Sequence, residues 1–213
     1  MENKISLYLV RHGETYLNRY KRMQGWADSP LTEEGKMVAA ETGSRLGDLA
    51  FDRVYTSDSG RTVETAEIIL RQNQHEVPTI TRMKAFRETF FGSFEGEYSE
   101  VAWGKVAQDK GYPDFHTLIR SCTPQEVVDA MKQSDPLQHA EGYEEMWARI
   151  ETGLQEVIAA GGGNVLIVTH GNVIRTLLKQ FSEEFDPTVD IKNASVSRLE
   201  HCNQAFRVVS YNQ

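Results

Sequence analysis

The sequence predicts an α/β protein: a three-layer α/β/α sandwich with a largely parallel central sheet and a small inserted helical cap. Three observations carry that expectation. Two short, nearly continuous apolar runs read as buried strands, amphipathic segments of helical period lie between and after them, and one stretch from about residue 84 to 141 breaks the alternation. With 213 residues the chain supports one main domain, with 97–141 as a cap subdomain within it.

Residues 5–10 (ISLYLV) and 165–169 (VLIVT) are rich in branched side chains with almost no polar interruption, the pattern of strands covered on both faces. After Thr32, an N-cap with Glu33 and Glu34 in the first turn, Val38, Thr42, Leu46 and Leu49 recur at helical spacing, so the helix is expected to end near Leu49. Residues 53–56 read as a strand feeding a helix from about Ser59 to Leu70, with Val63, Ala66 and Ile69 on one side. Between 84 and 141, Gly, Pro, His and scattered aromatics give a single helix signal, the capping box Thr123-Pro124-Gln125-Glu126. Residues 142–160 carry the clearest stripe: Tyr143, Met146, Trp147, Ile150, Leu154, Val157 and Ile158. Ile174, Leu177, Leu178 and Phe181 then mark a helix, and 195–200 and 205–211 read as two closing strands around a Cys-Asn-Gln-Ala turn.

Composition narrows the function classes. Hydrophobic residues at 39% and charged residues at 25% are ordinary for a globular chain, and no apolar run approaches the roughly 20 residues that span a bilayer. The N-terminal Met-Glu-Asn-Lys precedes too short an apolar run for a secretory signal, so a cytoplasmic protein without a membrane partner is expected. Cys122 and Cys202 lack disulfide or zinc spacing and read as buried or idle thiols. His75, His116, His139 and His201 lack metal-ligand spacing, and there is no calcium loop or Gly-rich nucleotide cradle, so no metal or cofactor is expected. A net charge of −8 disfavours nucleic acid and requires that an anionic substrate meet a local cationic pocket.

Both central strands are followed at once by His-Gly: Val10-Arg11-His12-Gly13 and Val168-Thr169-His170-Gly171. Ligands of open α/β sheets gather beyond the carboxyl ends of the strands, which is where His12 and His170 leave the sheet. Arg61 lies in the first turn of its helix, where a cation opposes the macrodipole unless an anion binds there. Taken alone, Arg61 reads as a surface arginine paired with Glu64 or Asp58. Together, Arg11, His12, Arg61 and His170 form a donor set suited to the oxygens of a transferring phosphoryl group, to which a helix opening at Gly171 adds backbone N–H.

The string from Arg11 to Asn18 (RHGETYLN) resembles the signature of the histidine phosphatase superfamily. The likeness continues through Gln24-Gly25-Trp26-Ala27-Asp28-Ser29-Pro30-Leu31-Thr32, the block from Thr56 to Ala66, Arg87-Glu88 with Phe91-Gly92-Ser93-Phe94-Glu95-Gly96, and Val168-Thr169-His170-Gly171. It covers most of the chain outside 97–141 and implies a phosphoglycerate-mutase-like fold and a metal-independent enzyme acting on small phosphomonoesters. By that resemblance His12 is the nucleophile, its other ring nitrogen held by a backbone acceptor, and Glu88 is the proton donor. Arg11, Arg61 and His170 clamp the phosphoryl oxygens, Thr15, Asn18 and Gly171 add hydrogen bonds, and Gln24, Gly25 and Trp26 border the substrate pocket. Trp26 either floors the site or simply packs, and Glu88 outside this motif would read as a surface carboxylate paired with Arg87.

The resemblance leaves a fork between phosphatase and cofactor-dependent phosphoglycerate mutase, which share the first half-reaction. The mutases are generally longer and carry an arginine- and proline-rich stretch between the glutamate block and the second histidine. Here 97–141 holds only Lys105, Lys110, Arg120 and Lys132 as cations, which favours hydrolysis. Trp103, Tyr112 and Phe115 hint at less polar alcohols or form the cap's own core. A non-catalytic phosphate- or protein-binding module is the third reading, and it predicts erosion of the nucleophile, acid or arginines, all of which are present.

Overall fold

The computed structural model describes residues 4–213, so the leader reading of residues 1–3 lies outside the described residues. Six strands form one sheet, β1 (Ile5–Arg11), β2 (Arg53–Thr56), β3 (Ile80–Arg82), β4 (Gly163–Thr169), β5 (Val196–Cys202) and β6 (Ala205–Ser210), in the order β3-β2-β4-β1-β5-β6. β1, β2, β3 and β4 run parallel, and β5 and β6 close one edge antiparallel. The expected α/β class with a largely parallel sheet is what the chain forms.

Alternate residues of the central strands explain the layering. Leu7, Leu9, Val165 and Ile167 face one core with Met146, Ile150 and Leu154 of α7 (Tyr143–Ala159) and Ile174 and Leu177 of α8 (Gly171–Phe181). Val10, Leu166 and Val168 face the other with Ala66 and Ile69 of α3 (Gly60–Leu70), against which α2 (Glu33–Arg45) packs. α1 is one turn, Tyr16–Arg19.

Three elements differ from the sequence reading. α2 ends at Arg45 rather than Leu49: the N–H of Leu46 bonds to Thr42 and Gly43 carbonyls, and Leu46 and Leu49 reach the core from the turn that follows. That turn extends the apolar stripe beyond the helix. β3 was not expected, being three half-exposed to exposed residues at an edge. The stretch read as holding one helix contains three, α4 (Ser99–Asp109), α5 (Phe115–Ser121) and α6 (Pro124–Ser134), which enclose a separate small core around Ala102, Val106, Leu118 and Met131. α4 has no side-chain cap and contains Gly104, so nothing local announces it.

Candidate active site

β1 and β4 are neighbours, with Arg11 opposite Thr169. The next residue of each strand is a histidine, so His12 and His170 emerge side by side, their ring centroids 5.3 Å apart and the rings edge-on at 64°. Nδ1 of His12 lies 2.8 Å from the Gly13 carbonyl, an acceptor, so Nδ1 carries the hydrogen and the lone pair sits on Nε2. Burial, helped by Arg61 and Arg11, holds the His12 pKa well below the ordinary histidine value, which keeps that lone pair available. His170 is depressed likewise, by burial first and then by Arg61.

Arg61 is 1% exposed, in the first turn of α3. Its Nη1 donates to the Ala27 carbonyl and Asp28 Oδ1, both at 2.9 Å, and its Nη2 to the Gly25 carbonyl at 2.7 Å and His170 Nδ1 at 3.0 Å. His170 therefore accepts at Nδ1 and donates from Nε2 to Ser57 Oγ at 2.8 Å. Arg61 pairs with neither surface carboxylate considered above: Asp58 holds Arg87 with two bonds of 2.6 Å, and Glu64 faces Lys36. Arg11 donates from Nη1 to the Ile191 carbonyl and lies 3.6 Å from Asp190. The Nε groups of Arg11 and Arg61 are buried and without a partner. Two buried cations, each with an idle N–H donor and each acting on the His12 ring by its charge, suit the binding of an anion.

Glu88 is 8% exposed and far from a surface pair with Arg87. Burial raises its pKa, against the N–H groups of Thr89 and Asn172, which donate to its oxygens at 3.0 and 3.2 Å, and against Arg61 and Arg11. A carboxyl so placed can hold a proton for donation. Its loop is clamped by Arg149 of α7, which donates to the carbonyls of Ala85, Arg87 and Glu88 at 2.9, 2.6 and 3.0 Å and grips Glu141 with bonds of 2.6 and 2.7 Å. Trp26 packs on the same loop, its Nε1 donating to the Glu88 carbonyl at 3.0 Å and its ring in contact with Phe90 and with the Arg87 guanidinium.

The remaining expected residues serve the surrounding backbone. Thr15 caps α1 and donates to Gln24 Oε1 at 2.6 Å, and Asn18 Oδ1 accepts from the Thr15 N–H at 3.3 Å. Gly25 admits no side chain, since a Cβ there would lie 2.2 Å from the Thr89 carbonyl and from Glu95 Oε1. Gly171 opens α8 with His170 as its N-cap. Asn18 and Arg11 line an open depression that shares Asp190 and His116 with a more enclosed cavity of about 300 Å³. Thr89 and Asn172 border that cavity beside Glu88, and Phe91, Trp103, Phe115 and Met131 wall it. Trp103 and Phe115 thus both line a cavity and pack against the small helical core.

Arg149, Glu95, Ser57, Asp28, Asn172 and Arg175 are contributors that the sequence reading passed over. Glu95 accepts the N–H groups of Gly25, Trp26, Ala27 and Phe91 at 2.9–3.1 Å, fixing the loop whose carbonyls hold Arg61. Arg149, Glu95, Ser57, Asp28 and Asn172 reach the site through contacts with residues tens of positions away along the chain, and no local pattern signals such contacts. Among the described residues no helix is long and apolar enough to cross a membrane.

The model of the histidine phosphatase superfamily (branch 1) matches residues 7–213. The uncharacterized phosphatase PhoE of Bacillus subtilis (strain 168) is 33% identical over 208 residues, covering 96% of this chain and 92% of that one. The probable phosphoglycerate mutase GpmB of Erwinia tasmaniensis is 29% identical over 201 residues, covering 92% and 85%. Among solved structures, a phosphoglycerate mutase from Bacillus anthracis str. Sterne superposes with a TM-score of 0.95 at 36% identity, covering 100% of this chain and 94% of that one.

Proposed function

Since the chain belongs to the histidine phosphatase superfamily, we propose that it hydrolyses phosphomonoesters through a phosphohistidine on His12, with water as the final acceptor and no metal ion. The observation that carries this reading is the pair of buried, unpartnered Nε–H groups on Arg11 and Arg61, the two arginines whose charge acts on His12, together with the lone pair that the Gly13 bond leaves on His12 Nε2. Nε2 of His12 attacks phosphorus as the ester P–O bond breaks, and Glu88 passes its proton to the departing oxygen. Water then cleaves the P–N bond while Glu88, now ionised, takes the water's proton. Arg11 and Arg61 are already held in place by protein acceptors, so little rearrangement precedes the step. Asn18, Thr15 and the N–H groups at the start of α8 complete the polar surround. A direct contact of His170 with the phosphoryl oxygens requires Nδ1 to give up its Arg61 bond and take up a proton, because the lone pair that accepts from Arg61 cannot donate to an anion; until then His170 orients Arg61.

Hydrolysis rather than transfer to a phosphoglycerate is supported by the placement of the cations in 97–141. Lys105 pairs with Asp109, Lys110 bonds Gln133, Lys132 pairs with Glu145, and none of these nor Arg120 lines the cavity beside Glu88. The helices over 97–141 serve as the cap, holding the alcohol part of the ester. The likeness to phosphoglycerate mutases keeps the mutase as the second reading. A labelled phosphomonoester should give an acid-labile phosphoenzyme in the wild type and none in His12→Ala. A hydrolysis panel run beside a mutase assay separates the two readings, and retained turnover in a folded His12→Ala protein removes the proposed nucleophile.

A further inference from the structure

Arg175 stands in α8 five residues beyond His170, half-buried, and the mechanism above does not use it. Its Nη1 donates to Asn172 Oδ1 at 2.7 Å, its Nη2 has only the Val189 carbonyl at 3.5 Å, and its Nε is closed from solvent without a partner. Among the described residues it forms no ion pair; Glu88 and Asp190 act on it only at longer range. A guanidinium largely withdrawn from water without a counter-ion in contact is costly to maintain, and one good bond to Asn172 does not account for it.

The open edge is informative. In this chain three other arginines, Arg19, Arg87 and Arg149, use the Nε–Nη2 edge to grip a carboxylate: Glu14, Asp58 and Glu141. In Arg175 the same edge is the one left without a good partner. Planar, two-point recognition of a carboxylate is what this edge offers.

Arg175 also lines the cavity of about 300 Å³ beside Glu88. A leaving oxygen that takes its proton from Glu88 must lie next to Thr89 and Asn172, the two residues whose N–H groups hold that carboxyl. Both border the cavity, so the group attached to that oxygen continues into it, between Phe91, Trp103, Phe115 and Met131. Asp190 also lies on the cavity rim, but it is largely solvent-exposed and faces Arg11, so its repulsion of an incoming anion is screened.

Resting on the phosphatase reading, we propose that this cavity receives an apolar, preferably aromatic, alcohol that carries a carboxylate, and that Arg175 binds that carboxylate. Aromatic walls and an unpaired cation then select together, and a small hydrophilic acid leaves the walls unfilled.

The experiment compares kcat/KM of the wild type for 3- and 4-carboxyphenyl phosphate, their neutral carbamoyl isosteres, 3-phosphoglycerate and 4-nitrophenyl phosphate. At least one carboxylate should be preferred over its amide by about tenfold or more, chiefly through KM, as one charge-assisted pair provides. Arg175→Met should erase that preference and Arg175→Lys keep part of it. Equal kcat/KM for acids and amides in the wild type overturns the anchor, with no variant needed. Better turnover of 3-phosphoglycerate than of the carboxyaryl esters overturns the apolar class. No turnover of any ester, 4-nitrophenyl phosphate included, and no phosphoenzyme removes the phosphatase reading itself, and this proposal with it.

Discussion

Arg149→Met is the most severe test of how the acid is held. Arg149 uses all five of its N–H donors, three on the carbonyls of Ala85, Arg87 and Glu88 and two on Glu141. Met keeps much of the stem's bulk and none of the donors. The Glu88 carbonyl retains Trp26 Nε1 and Glu141 Oε2 retains the Phe90 N–H, but the carbonyls of Ala85 and Arg87 and both Glu141 oxygens lose their Arg149 bonds. Removing one partner of a buried pair costs about 3–5 kcal/mol. The Arg149 and Glu141 side chains are 18% and 10% exposed, so water relieves part of this and a loss near 3 kcal/mol is expected. Arg149→Met/Glu141→Leu should recover about 1–2 kcal/mol, since no carboxylate is then stranded. Urea unfolding followed by circular dichroism reads both values. The catalytic effect should concentrate on proton donation: about a hundredfold loss in kcat for an alkyl phosphate when Glu88 shifts by an ångström, and several-fold less for 4-nitrophenyl phosphate. A stability loss under 1 kcal/mol, or equal losses on the two esters, would refute the clamp.

Glu88→Gln should slow alkyl phosphates by about 10²–10⁴ and nitrophenyl phosphate far less, because a good leaving group needs little protonation; equal losses would assign Glu88 another role. Unfolded His12 and His170 take up protons below their ordinary value of 6.5 whereas the folded rings resist them, so stability should fall as pH drops below that value, by up to about 1.4 kcal/mol per pH unit for each. Glu88 works oppositely: its raised pKa means the folded state holds a proton that the unfolded state has lost, so it offsets about one histidine between the ordinary carboxyl value and its own pKa. Urea midpoints flat or rising from pH 7 down to 5.5 would contradict this. Glu95→Gln should leave two of its four N–H partners without an acceptor, costing about 2–4 kcal/mol, and should lower kcat through displacement of the Gly25 and Ala27 carbonyls from Arg61. Unchanged unfolding midpoints and kcat would show that the loop holds itself.

The parts of this site that sit on regular elements could be read from the sequence. His12 and His170 follow buried strands of unmistakable composition, and the parallel pairing of β1 with β4 turns that repeated context into adjacency. Arg61 looked misplaced on its helix, and it is fully buried against carbonyls of a distant loop. What stayed hidden has a common cause. Arg149, Glu95 and Asp28 act on the site through backbone groups or side chains 32 to 70 residues away, with no periodicity or motif to announce the contact. Two helices of 99–134 were hidden for local reasons: α4 lacks a side-chain cap bond and contains Gly104, and α5, although Asp114 caps it, is only seven residues long, so only α6 with its complete capping box was legible.

Donor saturation sorts the arginines of the site by role. Arg149 has every N–H engaged by protein acceptors, so it can do nothing but fix geometry. Arg61 has four of five engaged and Arg11 has a free Nε, and in both the idle donor is buried, where an unmet donor is costly to the folded state alone. That cost is recovered when an anion arrives, and it is recovered most for the state with most charge on the phosphoryl oxygens, which is the condition for catalysis rather than mere binding. Arg198 marks where the rule stops, since its Nε is also idle while Glu200 neutralises its charge. Arg175 has no such counter-charge in contact. The reasoning that gives Arg11 and Arg61 to the phosphoryl group in the proposed mechanism gives Arg175 the carboxylate of the proposed alcohol, in the cavity it lines with Thr89 and Asn172.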